Sequence, residues 1–231
     1  MLGNGSRENS KMKLDPNRYY LKFAEACSKF IRDRDCTKYF KRYEPELPRI
    51  SKILGILKSI RPESILDVGS GKGRALWPML ETLPNTSILC VDPVEWRCEV
   101  INAVHNGGIR RVQAVPGDIR DIPYRDNYFD VVTALEVLEH IPMATDALHQ
   151  MMRIAGKFVV LTVPSKPDNN PEHVHFFNQK YILEMIHRIE KQLNKETTKI
   201  QIEYAGNSMI VLIGFQRPKM EIANVGTNCN F

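Results

Sequence analysis

Three carboxylates stand at the ends of three short apolar runs: Asp67 in Ile65-Leu-Asp-Val-Gly-Ser-Gly-Lys-Gly73, Asp92 in Leu89-Cys-Val-Asp92, and Asp118 in Val115-Pro-Gly-Asp-Ile119. A single Asp after a strand is most simply a helix or turn cap. Three in succession would line one edge of a parallel sheet, where ligands bind in open α/β folds. Gly69, Gly71 and Gly73 allow the backbone to approach a ligand with no Cβ in the way. The dinucleotide pattern G-x-G-x-x-G asks for glycine at 74, and the chain has Arg74 there. Asp67 would also repel a pyrophosphate at the start of the next helix, so a cationic ligand group is favoured over an anionic one. Asp92 lies 19 residues past Gly73, near the spacing of about 20 for an acid that accepts from both ribose hydroxyls. Asp118 is placed to accept from an adenine amino group, with the Ile119 amide donating to the ring.

A second constellation follows the fourth apolar run, in Leu135-Glu136-Val-Leu-Glu139-His140-Ile-Pro142. If this begins a helical turn, Glu136, Glu139 and His140 share a face. His173 and His175 come after the fifth run, at the same sheet edge. Two carboxylates with one or two imidazoles make a divalent-metal set. Without a metal, His140 or His173 is the candidate general base, since an unshifted imidazole titrates near pH ~6.5. His105, His149 and His187 fall within helical patterns and are assigned no chemistry. Trp77 and Trp96 are assigned to helix faces packing on the sheet.

The elements that would hold these residues are legible from hydrophobic spacing. Short apolar runs at Ser64–Val68, Ser87–Val91, Val112–Val115, Phe129–Ala134 and Phe158–Val163 alternate with amphipathic segments at Arg74–Leu83, Glu95–Asn106, Met143–Ile154 and Asn178–Leu193, the pattern of β-α-β units. Lys199–Tyr204 and Met209–Phe215 close the chain as a hairpin about Gly206-Asn207. Upstream, helical spacing from Tyr19 and again over Ile50–Ile60 predicts two helices separated near Pro45–Pro48. The expected organisation is a disordered 1–15, a helical cap over 16–61, an α/β domain over 62–217 and a tail over 218–231. Residues 1–62 carry a net charge of +8 and the rest −3, so a polyanion such as RNA would approach the N-terminal helices. Their interleaved aromatics, Tyr19, Tyr20, Tyr39, Phe40 and Tyr43, suit cap packing first and a lid over a planar substrate second. Five scattered cysteines without Cys-x-x-Cys spacing argue against a disulfide framework or a structural zinc site. With no apolar run of about 20 residues and no signal-like N-terminus, a soluble cytoplasmic protein is expected.

Over roughly residues 62–217 the chain resembles the class I S-adenosylmethionine-dependent methyltransferases, on the strength of Ile65–Gly73, Val91-Asp92, Gly117-Asp118-Ile119 and Phe129 to His140. The resemblance implies a Rossmann-like, doubly wound seven-stranded sheet of order 3-2-1-4-5-7-6, its last strand antiparallel. It also implies a donor site formed by Asp67, Gly69, Ser70, Gly71, Asp92, Pro93, Asp118, Ile119 and Leu135. The Glu-x-x-Glu-His run is similar to that of metal-dependent O-methyltransferases of small-RNA 2′-hydroxyls and of ubiquinone biosynthesis, implying Mg or Mn held by Glu136, Glu139, His140 and His173. The same run also occurs in members where it only closes the donor pocket. The reading is a methyltransferase, of a small-molecule hydroxyl first. An RNA 2′-O-methyltransferase, a metal-independent N- or C-methyltransferase and a non-catalytic binding partner are the alternatives. The link between the fourth helix and fifth strand, Met152-Arg-Ile-Ala-Gly-Lys, is short for the family and is expected to trim only a surface turn.

Overall fold

A computed structural model describes residues 18–32, 34–42 and 46–216. The disorder expected for 1–15, the tail at 218–231, Tyr43 and Cys229 lie outside the described residues. Seven strands form one sheet of order β3-β2-β1-β4-β5-β7-β6. They are β1 (Ser64–Val68), β2 (Ser87–Asp92), β3 (Val112–Pro116), β4 (Phe129–Leu135), β5 (Ala155–Pro164), β6 (Thr197–Ala205) and β7 (Ser208–Phe215). The pairings β2–β3, β1–β2, β1–β4 and β4–β5 are parallel, while β7 is antiparallel to both β5 and β6. This is the expected order, and the hairpin turns at Gly206 with φ +59°.

Alternating strand residues feed two cores. Ile65, Ile88, Val131 and Val160 face one way, beneath α1 (Leu21–Ser28), α2 (Pro48–Ile60), α3 (Leu76–Thr82) and α4 (Glu95–Asn106). Leu66, Val68, Val132 and Val159 face the other, beneath α5 (Ala144–Ile154) and α6 (Gln179–Leu193). The helices bury stripes at helical spacing, as Ile182, Met185, Ile186 and Ile189 do in α6. α1 lies so close to the end of α4 that a Cβ on Gly107 would overlap the Ala26 carbonyl, and Lys29 Nζ donates to Gly107 O at 3.0 Å.

Several boundaries differ from expectation by one to three residues, and two of the differences have a clear physical cause. α3 starts at Leu76 rather than Arg74, because the glycine-rich turn runs through residue 73, where φ is +78°. α5 passes straight into β5 at Ala155 with no linker at all. The register slips between the Phe129–Ala155 and Val131–Phe158 pairs, so the short link is absorbed as a strand irregularity.

Candidate functional site

The carboxyl ends of β1, β2, β3 and β4 open onto a cavity of about 610 Å³, within the roughly 300–1,000 Å³ typical of small-ligand sites. Asp67, Gly69, Ser70, Gly71, Asp92, Pro93, Asp118, Ile119, Leu135, Glu136 and His140 all line it. Gly69 and Gly71 adopt φ of +66° and +56°. A Cβ on Gly69 would sit 2.7 Å from Val137 Cγ2, so the chain needs glycine there on two counts.

The three acids differ in their surroundings. Asp67 is 2% exposed and accepts hydrogen bonds from Ser70 Oγ and Thr133 Oγ1, both at 2.6 Å. Burial pushes its carboxyl up to about 6, against the pull of those two hydroxyls and with a further push from nearby Asp92. Asp92 is wholly buried, accepting from the Gly71 and Val94 amides at 3.0 and 2.9 Å, and Arg97 Nη1 lies 3.3 Å from each oxygen. Asp118 accepts from the amide and guanidinium of Arg120, whose hydrogen bonds hold it below the usual carboxylate range.

Glu139, His140 and His173 bring one ligand atom each to within 4.8 Å of one another. Glu136 stands outside this set, and the expected shared helical face does not form. Glu136 follows β4 at φ +59°, and its amide is turned back to the carbonyl and hydroxyl of Thr162, each at 3.0 Å. The helical geometry begins only with the 3₁₀ turn Leu138–His140, so the i, i+3 relation to Glu139 is lost. Glu136 instead lines the cavity, with its Oε1 buried and unpartnered. Glu139 has no exposed surface and neither carboxylate oxygen has a hydrogen-bond partner. Burial pushes its carboxyl up to about 8, its own backbone amide and Arg49 opposing the effect and the nearby Glu136 adding to it.

Both imidazoles are anchored through Nδ1, His140 to the Glu172 carbonyl at 3.0 Å and His173 to Asp168 Oδ1 at 2.9 Å, which leaves Nε2 of each available as a ligand. An outer partner on one nitrogen is the usual way a ligating histidine is oriented. The Val174 and His175 amides fasten this loop to the Glu139 carbonyl at 2.8 and 3.3 Å. His175 stays outside the cluster, its Nε2 engaged 2.9 Å from the Pro142 carbonyl.

Sequence reasoning missed Arg49 and Asp168. Arg49, the second residue of α2, lines the cavity with its Nε buried and lacking a hydrogen-bond partner. Nothing in its spacing marks it, because only the crossing of α2 over the sheet edge brings it there. Asp168 had a weak signal, an acid five residues before His173 in a proline-rich loop.

Residues 65–157 match a family model described as a methyltransferase domain. Among curated proteins, norajmaline N-methyltransferase of Rauvolfia serpentina is 27% identical over 116 residues, 48% of this chain and 39% of its own length. Malonyl-[acyl-carrier protein] O-methyltransferase of Nitrosospira multiformis is 25% identical over 162 residues, 58% of this chain and 52% of that protein. The chain thus spans well under half of the first of these and about half of the second. A solved structure of a methyltransferase from Bacillus halodurans superposes with a TM-score of 0.56 at 16% identity, covering 72% of this chain and 100% of that one, a likeness of fold. Over residues 65–157 the chain is similar to methyltransferase domains, and its sheet has the fold of the solved structure above.

Proposed function

We propose that the protein methylates a hydroxyl oxygen of a small molecule, using S-adenosylmethionine as donor and a divalent cation, Mg or Mn, beside the acceptor. The observation that carries the metal is Glu139. A buried carboxylate with both oxygens unpartnered is costly unless a cation joins it, and two oriented imidazoles stand next to it. Glu139, His140 and His173 would hold the ion. When bound, it lowers the pKa of an acceptor hydroxyl and orients neighbouring oxygens.

The remaining work falls to the chain's own residues. Asp67 accepts from the donor's ammonium, and Arg49 supplies the cation that the donor's carboxylate needs. Asp92 accepts from the ribose hydroxyls; Asp118 and the Ile119 amide address the adenine, with Arg120 yielding or sharing the Asp118 oxygens. Pro93 and Leu135 give apolar walls to the adenosine. Displacement at a methyl carbon needs little covalent assistance, so holding the two partners in line supplies most of the acceleration. The His173–Asp168 pair favours a second reading, in which His173 takes the acceptor proton directly without a metal.

The test is methyl transfer from labelled donor into small-molecule and RNA pools, with EDTA or with added Mg²⁺ or Mn²⁺. Label in small molecules that EDTA abolishes and Mn²⁺ restores is the expected result. Turnover indifferent to EDTA refutes the metal and leaves His173 as base; label entering only RNA refutes the acceptor; and no heat of donor binding refutes the whole.

A further inference from the structure

The glycine-rich turn touches more than the cavity. Gly73 lies directly against the indole of Trp77, so closely that a Cβ there would overlap Nε1 and Cε2. The Trp77 amide also donates to Gly73 O at 3.1 Å. The same indole edge also reaches the N-terminal segment. Nε1 donates to the Tyr39 carbonyl at 2.6 Å, and the ring is packed between Phe23 at 5.3 Å and Phe40 at 5.1 Å. Tyr39 belongs to a 3₁₀ turn over Thr37–Tyr39, which Tyr20 N ties to α1 through Phe40 O at 2.8 Å. Beside it, the Arg42–Glu81 ion pair at 2.7 Å fastens the same stretch to α3. One side chain, 1% exposed, therefore spans the gap between the donor turn and the segment that roofs α3.

We infer that Trp77 is a positioning residue that links donor binding to the order of residues 37–42. The inference rests on the donor reading above. The indole N–H is satisfied only while Tyr39 O is in place; a buried N–H left without its acceptor is penalised. The ring also settles against Gly73 only when the turn holds its left-handed form at residue 73. A ligand that fixes the turn thereby fixes the ring, and the ring fixes the 37–42 stretch. The linkage is reciprocal: loss of the N-terminal fastening must weaken the donor by the same factor as loss of the donor loosens the fastening.

Hydrogen exchange read by mass spectrometry on the full chain, with and without S-adenosylhomocysteine, tests this against Trp77→Phe, which keeps ring packing and removes the N–H. In the unaltered protein the ligand should slow exchange both in peptides covering 69–83 and, by roughly tenfold, in those covering 37–42. In Trp77→Phe the slowing at 69–83 should persist, that at 37–42 should fall below about threefold, and donor Kd should rise about fivefold. A purely structural tryptophan would raise exchange equally in both states and leave their ratio intact, which overturns the inference. So does ligand protection of 69–83 in the unaltered protein with none at 37–42. Should Trp77→Phe not fold, Glu81→Gln cuts the second fastening and must at least halve the protection at 37–42; an undiminished ratio is again refuting. Absence of any protection at 69–83 in the unaltered protein would instead strike down donor binding itself.

Discussion

Replacing Asp67 with asparagine removes a charge that the fold resists and the donor needs, so the two consequences have opposite signs. In the ligand-free protein burial raises the carboxyl from 3.8 to about 6. A carboxyl raised on folding binds more protons folded than unfolded, so its contribution is fully present below pH ~4 and is lost as pH climbs through about 6. At about 1.36 kcal/mol for each tenfold change in protonation, the loss amounts to roughly 3 kcal/mol as an upper bound. The substituted amide is isosteric with the carboxylate and keeps its bonds to Ser70 and Thr133, one hydroxyl turning to accept rather than donate. Urea unfolding of both proteins at a series of pH values from about 4 to about 8, without ligand, should show their stability difference moving in favour of the variant by about 1–3 kcal/mol between pH ~4 and ~7, then levelling. Calorimetry at slightly alkaline pH should show the reverse for S-adenosylmethionine, a charge-assisted hydrogen bond of about 1.5–3 kcal/mol lost, or a roughly ten- to hundredfold weaker Kd. In the unaltered protein, donor affinity should also fall as pH drops through about 6. A stability difference that is flat with pH, or a variant that binds donor as tightly as its parent, would refute the reasoning.

Three further outcomes are expected. Mn²⁺ at about a hundredfold excess over Kd should stabilise the unaltered protein by about 2.7 kcal/mol, roughly 5–10 °C in Tm for a chain of this size, and Glu139→Gln should abolish that gain in a thermal melt. Arg49→Gln should weaken S-adenosylmethionine at least roughly tenfold while leaving binding of its decarboxylated analogue within about twofold, as measured by calorimetry. Gly73→Ala should lower stability by about 1–3 kcal/mol in urea, because the new Cβ meets the Trp77 indole at a backbone angle that favours glycine.

Much of the frame was legible because a parallel strand buried on both faces is a near-continuous apolar run, and the interiors of β1, β2 and β4 read that way apart from Asp67, Asp130 and Thr133. The edge acids were legible for a related reason: Asp67, Asp92 and Asp118 recur near the carboxyl ends of successive strands. What spacing does not carry is the path of the chain between units. Glu136 was expected on a helical face with Glu139, but the left-handed bend at 136 delays the turn by two residues. Arg49 and Asp168 reach the site from segments whose positions depend on how a helix and a long loop settle on the sheet. Trp77 reads as packing, and it is packed; its bond to Tyr39, 38 residues upstream, exists only in three dimensions.

The contact at Gly107 limits what the N-terminal segment can do. Because α1 meets the end of α4 backbone against backbone, with Lys29 clasping the same glycine's carbonyl, Gly107 itself offers no side chain to slide or repack. α1 is thus pinned like the fixed leaf of a door. A bulkier residue at 107 would unseat that leaf from a distance, without altering a single group that lines the cavity.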